Sequence, residues 1–381
     1  MNIPSLIADR MSRIDASGIR KVFDLAEDIE DPINLSIGQP DFDVPDDVKD
    51  GAIRAIEDGE NRYTVTQGID DLREAVLERE KNTSGISHDA VLITSGVSGG
   101  LLLALMALVN DGEKVAIPDP YFVMYKHLTR LIGGRPLYVD TYPDFILTAG
   151  RLEEAGAGDC KVLLLNSPNN PTGQVTGPEE LERIARWAED NDVFVITDDI
   201  YGVFTYDEPF TSIADYTDDV LLLNGFSKSD AMTGWRLGYA IGPEPLIEEM
   251  TKLQQFSFVC APSMAQHAAL TALRADRTER VESYRRKRDL MYEGLKDQFD
   301  LLCPRGAFYA FARAPGGDGD AFVARAIENG CLIIPGSVFS EKKSHFRLSF
   351  AADDETIKRG TDLLCSLAAN SPEPAKRPAQ G

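Results

Sequence analysis

Residues 219–242, DVLLLNGFSKSDAMTGWRLGYAIG, combine two apolar runs with a turn that carries one lysine. Residues 220–223 are continuously apolar, which is typical of a central strand in a sheet that is covered on both faces. The loops that follow the carboxyl ends of strands form the ligand crevice of open α/β sheets. The segment therefore predicts an α/β fold with Lys228 in such a crevice. For an isolated Ser-Lys pair, the alternative is a solvated surface lysine.

Arg236 lies eight residues beyond Lys228, within G-W-R-L-G-Y. An arginine at this spacing can return a planar cation to the same crevice, where a phosphate would need it. The pattern S-K-x(5)-G-W-R-L-G-Y resembles the lysine segment of the class I and II aminotransferases, which are fold-type I pyridoxal-phosphate enzymes. The resemblance implies that Lys228 forms a Schiff base with the cofactor and moves protons, while Arg236 holds the phosphate. A partly desolvated lysine near another cation has a lowered pKa, which suits both roles.

The charge of the chain limits its partners. Of 381 residues, 62 are acidic and 39 are basic, which gives a net charge of −23 at pH 7. Nucleic-acid and anionic-membrane binding depend on basic surfaces, so this balance argues against both. Acidic pairs such as Asp70-Asp71 and Asp353-Asp354 are spread along the chain, which indicates a strongly hydrated acidic surface. A salt-rich cytoplasm is a hypothesis that follows from this composition.

The cysteine and histidine content indicates a reduced protein without a metal. The five cysteines are odd in number and never spaced as C-x-x-C, as expected of thiols in a cytoplasmic protein. The four histidines lie far apart and form no metal-ligand pair. The N-terminus has no signal pattern, and no apolar run approaches the length of a membrane span. We therefore expect a soluble, cytoplasmic protein.

Motifs in the first hundred residues extend the resemblance toward the substrate and the phosphate. G-Q-P-D-F begins at Gly38, and in the family it crosses the active site, where a glycine lets the substrate approach the backbone. R-Y-x(4)-G-x(3)-L-R contains Tyr63, and in the family this hydroxyl reaches the phosphate of the neighbouring subunit, which implies a homodimer. The glycine turn between a strand and a helix aims backbone N–H groups at an anion. Relatives commonly have two glycines there, whereas this chain has Gly96, Val97 and Ser98; we expect N–H contacts and a hydroxyl from Ser98.

Aromatic and amide groups follow two further strand ends. Beyond Pro120, the resemblance places Phe122 over the pyridine ring, where offset stacking is favourable, with Tyr121 and Tyr125 as rival candidates. The string N-x-P-x-N-P-T-G at residues 166–173 predicts a rigid loop because it contains two prolines and a glycine. The string is specific to the family, whose last asparagine hydrogen-bonds the phenolic oxygen of the cofactor. That role falls on Asn170.

A carboxylate ends the apolar strand in V-F-V-I-T-D-D-I-Y. Burying Asp198 is costly without a partner, and a protonated pyridine nitrogen is such a partner. The charge pair keeps the ring cationic, and a cationic ring stabilises the carbanion formed when the substrate loses its α-proton. The pattern D-[DE]-x-Y assigns Asp198 to the ring nitrogen and Tyr201 to the phenolic oxygen. Asp199 is the competing carboxylate, and it lies on the opposite face of the strand.

The remaining assignments concern the phosphate and the substrate. Ser227 adds a phosphate contact, which matters because Gly225 stands where many relatives have Ser or Thr. In the family, F-R-[LI]-[SC] supplies the arginine that holds the α-carboxylate, and Arg347 matches it; a planar, two-pronged donor suits that task. Gly38 and Asn170 complete the predicted substrate site. No distal arginine can be assigned to the side chain of a dicarboxylate.

The resemblance covers residues 30 to 368 and implies a mainly parallel, seven-stranded sheet in a large pyridoxal-phosphate-binding domain, with a smaller α+β domain. We predict an N-terminal segment at 1–38 that joins the small domain, a large domain at 39–276, a small domain at 277–368 and a disordered tail at 369–381.

Apolar spacing also predicts individual helices. One lies around Ile14, Ile19, Val22 and Leu25. Others cover residues 46–58, 101–109 after a glycine turn at 95–100, and 277–299.

The function that the resemblance implies is transfer of an amino group from an α-amino acid to a 2-oxo acid, with pyridoxal 5′-phosphate as the cofactor. A pyridoxal-dependent β-lyase shares the scaffold and would release pyruvate and ammonia without an oxo-acid acceptor. A third possibility is a non-catalytic, ligand-binding regulator. Such regulators in this superfamily carry an added DNA-binding domain, and the sequence has no room for one before Leu35.

Overall fold

The computed structural model describes residues 1–16, 18, 29 and 31–371. Twelve strands occur in this part of the chain: β1 Ile33–Asn34, β2 Ala90–Thr94, β3 Lys114–Asp119, β4 Arg135–Asp140, β5 Val162–Asn166, β6 Phe194–Asp198, β7 Val220–Gly225, β8 Gly238–Gly242, β9 Tyr309–Arg313, β10 Cys331–Leu332, β11 Ile334–Pro335 and β12 His345–Ser349.

Eleven α-helices lie in the same described residues: Asp46–Glu57, Asp70–Thr83, Gly96–Leu108, Val123–Leu131, Ala149–Glu154, Pro178–Asp190, Glu244–Gln255, Ser263–Ala272, Thr278–Leu295, Gly319–Glu328 and Asp354–Ala369.

Seven strands form one sheet in the order β2-β8-β7-β6-β5-β3-β4. β3 to β7 pair in parallel, and only β8 runs against its neighbours β2 and β7. Every residue of β5 is buried, because helices cover both faces of the sheet. The predicted α/β fold with a mainly parallel, seven-stranded sheet is confirmed.

A second, smaller unit contains the three-stranded antiparallel sheet β11-β12-β9 and the helices Thr278–Leu295 and Asp354–Ala369, which pack against each other. β1 adds to it from the N-terminal end, since Ile33 pairs with Cys331 in a parallel ladder with β10. A hydrophobic cluster of its own, which includes Phe311 and Phe346, fills this unit. Both chain ends thus contribute to the α+β unit.

The helices predicted from the sequence within the described residues agree with the structure except at their ends. The helix predicted at 46–58 spans Asp46–Glu57, and the helix predicted at 277–299 ends earlier, at Leu295. The predicted glycine turn at 95–100 is wrong in extent, because the helix already begins at Gly96. Gly96 takes φ +70°, so a single left-handed residue turns the chain directly into the helix.

Two terminal predictions fall wholly or partly outside the described residues. Of the predicted N-terminal helix, Ile19, Val22 and Leu25 lie outside them, and Ile14 follows a short 3₁₀ helix at Asp9–Arg13. Residues 372–381 of the predicted tail are also outside, whereas Ala369 ends a helix.

Within 1–16, 18, 29 and 31–371, no helix is long and apolar enough to cross a bilayer. In the same ranges, no group of three or more His, Cys, Asp and Glu side chains is placed to hold a metal ion.

Candidate active site

A cavity of about 590 Å³ lies at the carboxyl ends of β5, β6 and β7, next to the small sheet. Parallel strands bring their carboxyl ends to one edge, which is where open α/β sheets bind ligands. The lining residues are Ile37, Gly38, Gln39, Val97, Ser98, Leu101, Phe122, Met124, Asn166, Asn170, Asp198, Ile200, Tyr201, Ser227, Lys228, Thr233, Arg236, Tyr309 and Arg347.

Lys228 projects into this cavity from the turn after β7. Its Nζ donates a hydrogen bond to the carbonyl oxygen of Gly38. Burial, reinforced by the positive charges of Arg347 and Arg236, lowers the pKa of Lys228 to about 8 although Asp198 opposes the shift. An amine with this pKa is partly neutral near pH 8, so it can act as a nucleophile and as a base. The alternative of a solvated surface lysine does not fit this position.

Asp198 is 6% exposed and lines the cavity at the end of β6. Its Oδ2 accepts a hydrogen bond from the Tyr125 hydroxyl at 2.8 Å, and its Oδ1 accepts from the Ile200 N–H at 3.3 Å. Burial raises the pKa of Asp198 to about 6, while the bond from Tyr125 and the charge of Lys228 lower it. A buried carboxylate of this kind is stabilised by a cationic partner.

Asp199, the competing carboxylate, points to the other face of β6. Its oxygens accept hydrogen bonds from Thr197 Oγ1 and Ser212 Oγ, each at 2.6 Å. It lines a separate cavity of about 290 Å³ beside Arg79 and Arg277. The structure therefore brings Asp198 to Lys228 and keeps Asp199 away from it.

An anion site lies at the N-terminus of the helix Gly96–Leu108. Nη2 of Arg236 donates to Ser98 Oγ at 2.8 Å, and Nη1 donates to the Thr233 carbonyl at 2.8 Å. A Cβ at position 96 would lie only 2.5 Å from Nη2 of Arg236, so this approach requires glycine. Val97, Ser98, Ser227 and Arg236 all line the cavity. Helix N–H groups, hydroxyls and a guanidinium together suit a phosphate.

Arg347 forms the opposite end of the cavity and is 1% exposed. Its Cζ lies 4.5 Å from the ring centres of both Tyr309 and Phe339, so the guanidinium is held between two aromatic faces. Nη1 donates to Asn170 Oδ1 at 3.1 Å and Nη2 to the Ser36 carbonyl at 2.9 Å. Nε has no hydrogen-bond partner, and no carboxylate of the described residues forms an ion pair with Arg347. A buried cation without an anion is suited to bind a carboxylate ligand.

The three rival aromatic residues separate in the structure. Phe122 lines the cavity. Tyr121 is 1% exposed and stacks on Tyr138 with ring centres 5.3 Å apart. Tyr125 binds Asp198 through its hydroxyl. Of these three residues, Phe122 is the one that lines the cavity.

Asn170 and Tyr201 lie next to each other in the wall of the cavity. Nδ2 of Asn170 is 3.4 Å from the Tyr201 hydroxyl, and the Asn170 N–H donates to Asn166 Oδ1 at 2.9 Å. Gly38 closes the other side, where a Cβ would lie 3.0 Å from the Tyr309 hydroxyl. A side chain at position 38 would narrow the space between Tyr309 and Arg347.

Some residues of the site were not assigned from sequence. The Tyr309 hydroxyl is 2.9 Å from that of Tyr201, and Tyr309 also supports Arg347. Tyr125 was considered only as a stacking residue, yet it supports Asp198. Its position three residues after Phe122 on a helix was the available signal, since i and i+3 share a helix face. Tyr309 gave no such signal, because it reaches the cavity from another sheet.

Two predicted site residues do not line the cavity: Gly96, which is buried beside Arg236, and Tyr63. The side chain of Tyr63 is 83% exposed at the surface of the chain.

These residues fit a pyridoxal 5′-phosphate group. The cavity offers an amine of lowered pKa, a buried carboxylate that needs a cation, a cradle of helix N–H groups with Arg236, and an aromatic face. Each matches one part of the cofactor: the aldehyde, the ring nitrogen, the phosphate and the ring plane.

Comparison with known proteins agrees with this geometry. The sequence pattern of the family "Aminotransferase class I and II" matches residues 30–364. A probable aspartate aminotransferase of Methanocaldococcus jannaschii is 37% identical, over 94% of this chain and 99% of that protein. Aromatic-amino-acid aminotransferase 2 of Thermococcus litoralis is 36% identical, over 94% of this chain and 97% of that protein. A single mutant of Thermus thermophilus aspartate aminotransferase has a TM-score of 0.89 and 33% identity, over 95% of this chain and 99% of that chain.

The fold and the site define a pyridoxal-phosphate enzyme with an aspartate aminotransferase-like fold. The chain belongs to the class I and II aminotransferase family. It is a pyridoxal-phosphate-dependent transaminase that moves an amino group from an amino acid to a 2-oxo acid. The predicted family, function and cofactor are confirmed, and the β-lyase and regulator alternatives receive no support.

Proposed function

We propose that Lys228 holds the cofactor and moves the substrate α-proton, that Asp198 supports the ring nitrogen, and that Arg347 holds the α-carboxylate. When bound, the cofactor supplies an electron sink for the carbanion at the α-carbon. The observation that supports this assignment best is the presence, in one cavity, of a lysine with a lowered pKa and a buried arginine without an anion. Arg236, Ser98, Ser227 and the backbone N–H groups at Gly96 and Val97 hold the phosphate.

The remaining roles follow from the same geometry. Phe122 covers one face of the ring, and Asn170 and Tyr201 bind its phenolic oxygen. Gly38 leaves space for the substrate between Lys228 and Arg347. The Lys228 amine, bound to the Gly38 carbonyl, accepts a proton once it is free of the cofactor, because its pKa of about 8 matches a general base near neutral pH.

We further propose a donor with an apolar or aromatic side chain. Among the described residues, the cations of the cavity are Lys228, Arg236 and Arg347, and each has a role already. The other lining side chains around Phe122 are mostly apolar: Ile37, Val97, Leu101 and Met124. A distal carboxylate there would lack a partner in the same chain, which is costly in a buried site. Relatives carry both aspartate and aromatic-amino-acid names, so the names do not decide the donor.

The experiment that tests this function is a donor panel in the half-reaction. Cofactor-loaded protein is mixed with one amino acid at a time, without an oxo acid, and loss of the visible cofactor absorption is followed. We expect kcat/KM for leucine, methionine, phenylalanine and tyrosine to be at least about tenfold higher than for aspartate and glutamate. The reason is that the side-chain carboxylate of aspartate or glutamate would be a buried charge without a partner. Fastest reaction with aspartate would contradict the donor proposal but not transamination.

The substitution Arg347→Lys should weaken every substrate to a similar degree. Each amino acid and oxo acid presents an α-carboxylate, and lysine cannot form two parallel hydrogen bonds with it. We expect KM to rise by about tenfold or more for all of them, as loss of one charge-assisted bond predicts. KM is measured for two donors and two oxo acids. An effect confined to one substrate would make Arg347 a side-chain specificity residue instead.

We propose that the protein is a homodimer with shared active sites. Tyr63 is exposed and outside the cavity of its own chain, as expected of a residue that serves a partner. Val65 at 60% and Phe256 at 92% are further exposed apolar side chains. Their segments adjoin, since Gln254 Nε2 donates to the Thr66 carbonyl at 2.7 Å, and neighbouring exposed apolar groups favour an interface. A C₂ arrangement would let each subunit lend its Tyr63 hydroxyl to the phosphate of the other.

Hybrid dimers should regain activity if sites are shared. Lys228→Ala and Tyr63→Phe subunits are unfolded and refolded together. In a hybrid, the site with intact Lys228 receives the intact Tyr63 of its Lys228→Ala partner, so activity should exceed that of either parent refolded alone. Sedimentation verifies that hybrids form. A fully active monomer, or verified hybrids without recovery, would refute the shared site.

We propose a cytoplasmic protein adapted to high salt. The net charge of −23 supports the adaptation to salt, and five cysteines without C-x-x-C spacing support a reducing compartment. Salt screens repulsion between surface carboxylates, so the unfolding temperature should rise steeply between low and molar KCl. An unfolding temperature that does not change with KCl would contradict this proposal.

We likewise propose the domain boundaries at 38, 276 and 368, and the β1–β10 pairing supports them. Limited proteolysis should cut near these positions first.

A further inference from the structure

Two loops from different sheets meet beside the active site. The turn at residues 119–122 follows β3 of the seven-stranded sheet and ends at Phe122, which lines the cavity. The loop at residues 339–342 comes shortly before β12 of the small sheet, which carries Arg347. The contact between these loops therefore joins the ring side of the site to the carboxylate side.

Three hydrogen bonds connect the two loops, and a fourth comes from the helix Val123–Leu131 that follows the first loop. The Tyr121 N–H donates to the Phe339 carbonyl at 2.8 Å, and the Glu341 N–H donates to Asp119 Oδ2 at 3.1 Å. Oε1 of Glu341 accepts from the Tyr121 hydroxyl at 2.7 Å and from Lys126 Nζ at 2.8 Å. Glu341 thus binds three residues of the other loop and its following helix.

The bonds differ in their exposure. Tyr121 is 1% exposed, and its ring stacks on Tyr138, so its hydroxyl has a fixed direction. The Glu341 side chain is 42% exposed and that of Lys126 is 18%. Exposed ion pairs contribute little, whereas a bond from a fixed, buried donor to a carboxylate is among the stronger kinds. The Tyr121 hydroxyl is therefore the partner of Glu341 that has a fixed direction.

Phe339 passes this contact on to Arg347. Phe339 is completely buried, and its ring centre lies 4.5 Å from Cζ of Arg347, on one side of the guanidinium, with Tyr309 on the other. Its carbonyl is the group that binds the Tyr121 N–H. A shift of the 339–342 loop would move one wall of the slot that holds Arg347.

We propose that Glu341 is a positioning residue: by binding the Tyr121 hydroxyl it fixes the 339–342 loop, and so sets the place of Arg347 relative to Phe122. This inference rests on the proposed role of Arg347 as the α-carboxylate site. Glu341 does not touch the cavity, so it acts only through Phe339. The phosphate site and Lys228 belong to the seven-stranded sheet and do not depend on this contact.

The test is steady-state kinetics of Glu341→Ala, with two amino donors and two oxo acids. We expect KM to rise about fivefold for all four substrates, because the variant loses one hydrogen bond of this kind. The value of kcat should change less than twofold. The dissociation constant of the cofactor, titrated by its absorption, should stay within twofold of the parent. Arg347→Lys is measured beside it. If Arg347→Lys leaves KM unchanged, the α-carboxylate assignment fails, independently of Glu341.

Three further variants identify the partner. Tyr121→Phe should reproduce the KM rise, and Tyr121→Phe combined with Glu341→Ala should be no worse than Glu341→Ala alone, since both remove the same bond. Glu341→Gln keeps an acceptor oxygen and should restore KM to within twofold. Lys126→Met removes the ion pair with Glu341 and the contacts of Nζ with the rings of Tyr121 and Tyr138, and it should also change KM less than twofold.

Several results would overturn the proposal. These are an unchanged KM in Glu341→Ala, additive effects in the double variant, or a loss of cofactor affinity that parallels the rise in KM. If Glu341→Ala does not fold, Tyr121→Phe and Glu341→Gln still decide: an unchanged KM in Tyr121→Phe, or a full KM rise in Glu341→Gln, contradicts it.

Discussion

Replacement of Lys228 by alanine is expected to give a folded protein that binds the cofactor without a covalent bond and has lost transamination. The side chain ends in a cavity and fills no part of a hydrophobic core, so its removal leaves the packing intact. Loss of a general base alone costs about a hundred- to ten-thousandfold in rate, and loss of the nucleophile adds to it. We expect activity at least about a thousandfold below the parent.

Covalent attachment gives a readout that does not depend on turnover. Borohydride treatment of the cofactor-loaded parent should add the cofactor mass to the peptide that contains Lys228, and Lys228→Ala should gain no such mass. The far-UV circular dichroism of the two proteins, which reports secondary structure, should be the same. Attachment at another lysine, together with full activity, would show that the assignment is wrong.

The second large effect is expected for Asp198→Asn. A neutral amide cannot keep the ring nitrogen protonated, so abstraction of the α-proton should slow by about a hundredfold or more, as for loss of one preorganised charge. The amide can still accept the hydrogen bond from Tyr125. The rate is measured in the half-reaction with a saturating amino donor, and cofactor binding is titrated separately.

Asp199→Asn is the matched control, because Asp199 adjoins Asp198 in sequence but binds Thr197 and Ser212 on the other strand face. The half-reaction should keep its rate within about fivefold, provided that the protein folds. If Asp199→Asn is the crippling change and Asp198→Asn is mild, the assignment of strand faces to roles is wrong.

The same Asp198→Asn variant should change the pH dependence of apoprotein stability. Burial raises the pKa of Asp198 to about 6 from its ordinary 3.8. The folded state therefore binds a proton more tightly than the unfolded state, and the parent loses stability as the pH rises from about 4 to 6. The loss corresponds to roughly 3 kcal/mol. The apo variant should be the more stable protein at pH 8, and the difference should vanish below pH 4.

Thermal unfolding of both apoproteins at pH 4, 6 and 8 measures this difference. An equal dependence of the two proteins on pH would show that Asp198 does not titrate in this range.

The sequence alone determined the fold class and most of the chemistry. Continuous apolar runs such as residues 220–223 are typical of strands in a covered sheet, and the polar groups that follow such strands come to one sheet edge. Lys228, Asp198 and Asn170 were placed at the sheet edge in this way, because each follows a strand in the sequence, while their roles came from the family motifs. Arg236 and Arg347 needed the family motifs in addition, and the structure places both in the cavity.

Only the tertiary structure decided contacts between residues far apart in sequence. Which of Phe122, Tyr121 and Tyr125 faces the cavity depends on how the turn at residues 119–122 packs, and no local pattern encodes that. Tyr309 and the Glu341 contact join two sheets whose relative placement is set by packing of the whole chain. Alternation along a strand fixes which residues share a face, but not what each face meets. For that reason the sequence motifs assigned Lys228 and Asp198 to one site. The side chains that support these two residues were found only in the folded protein.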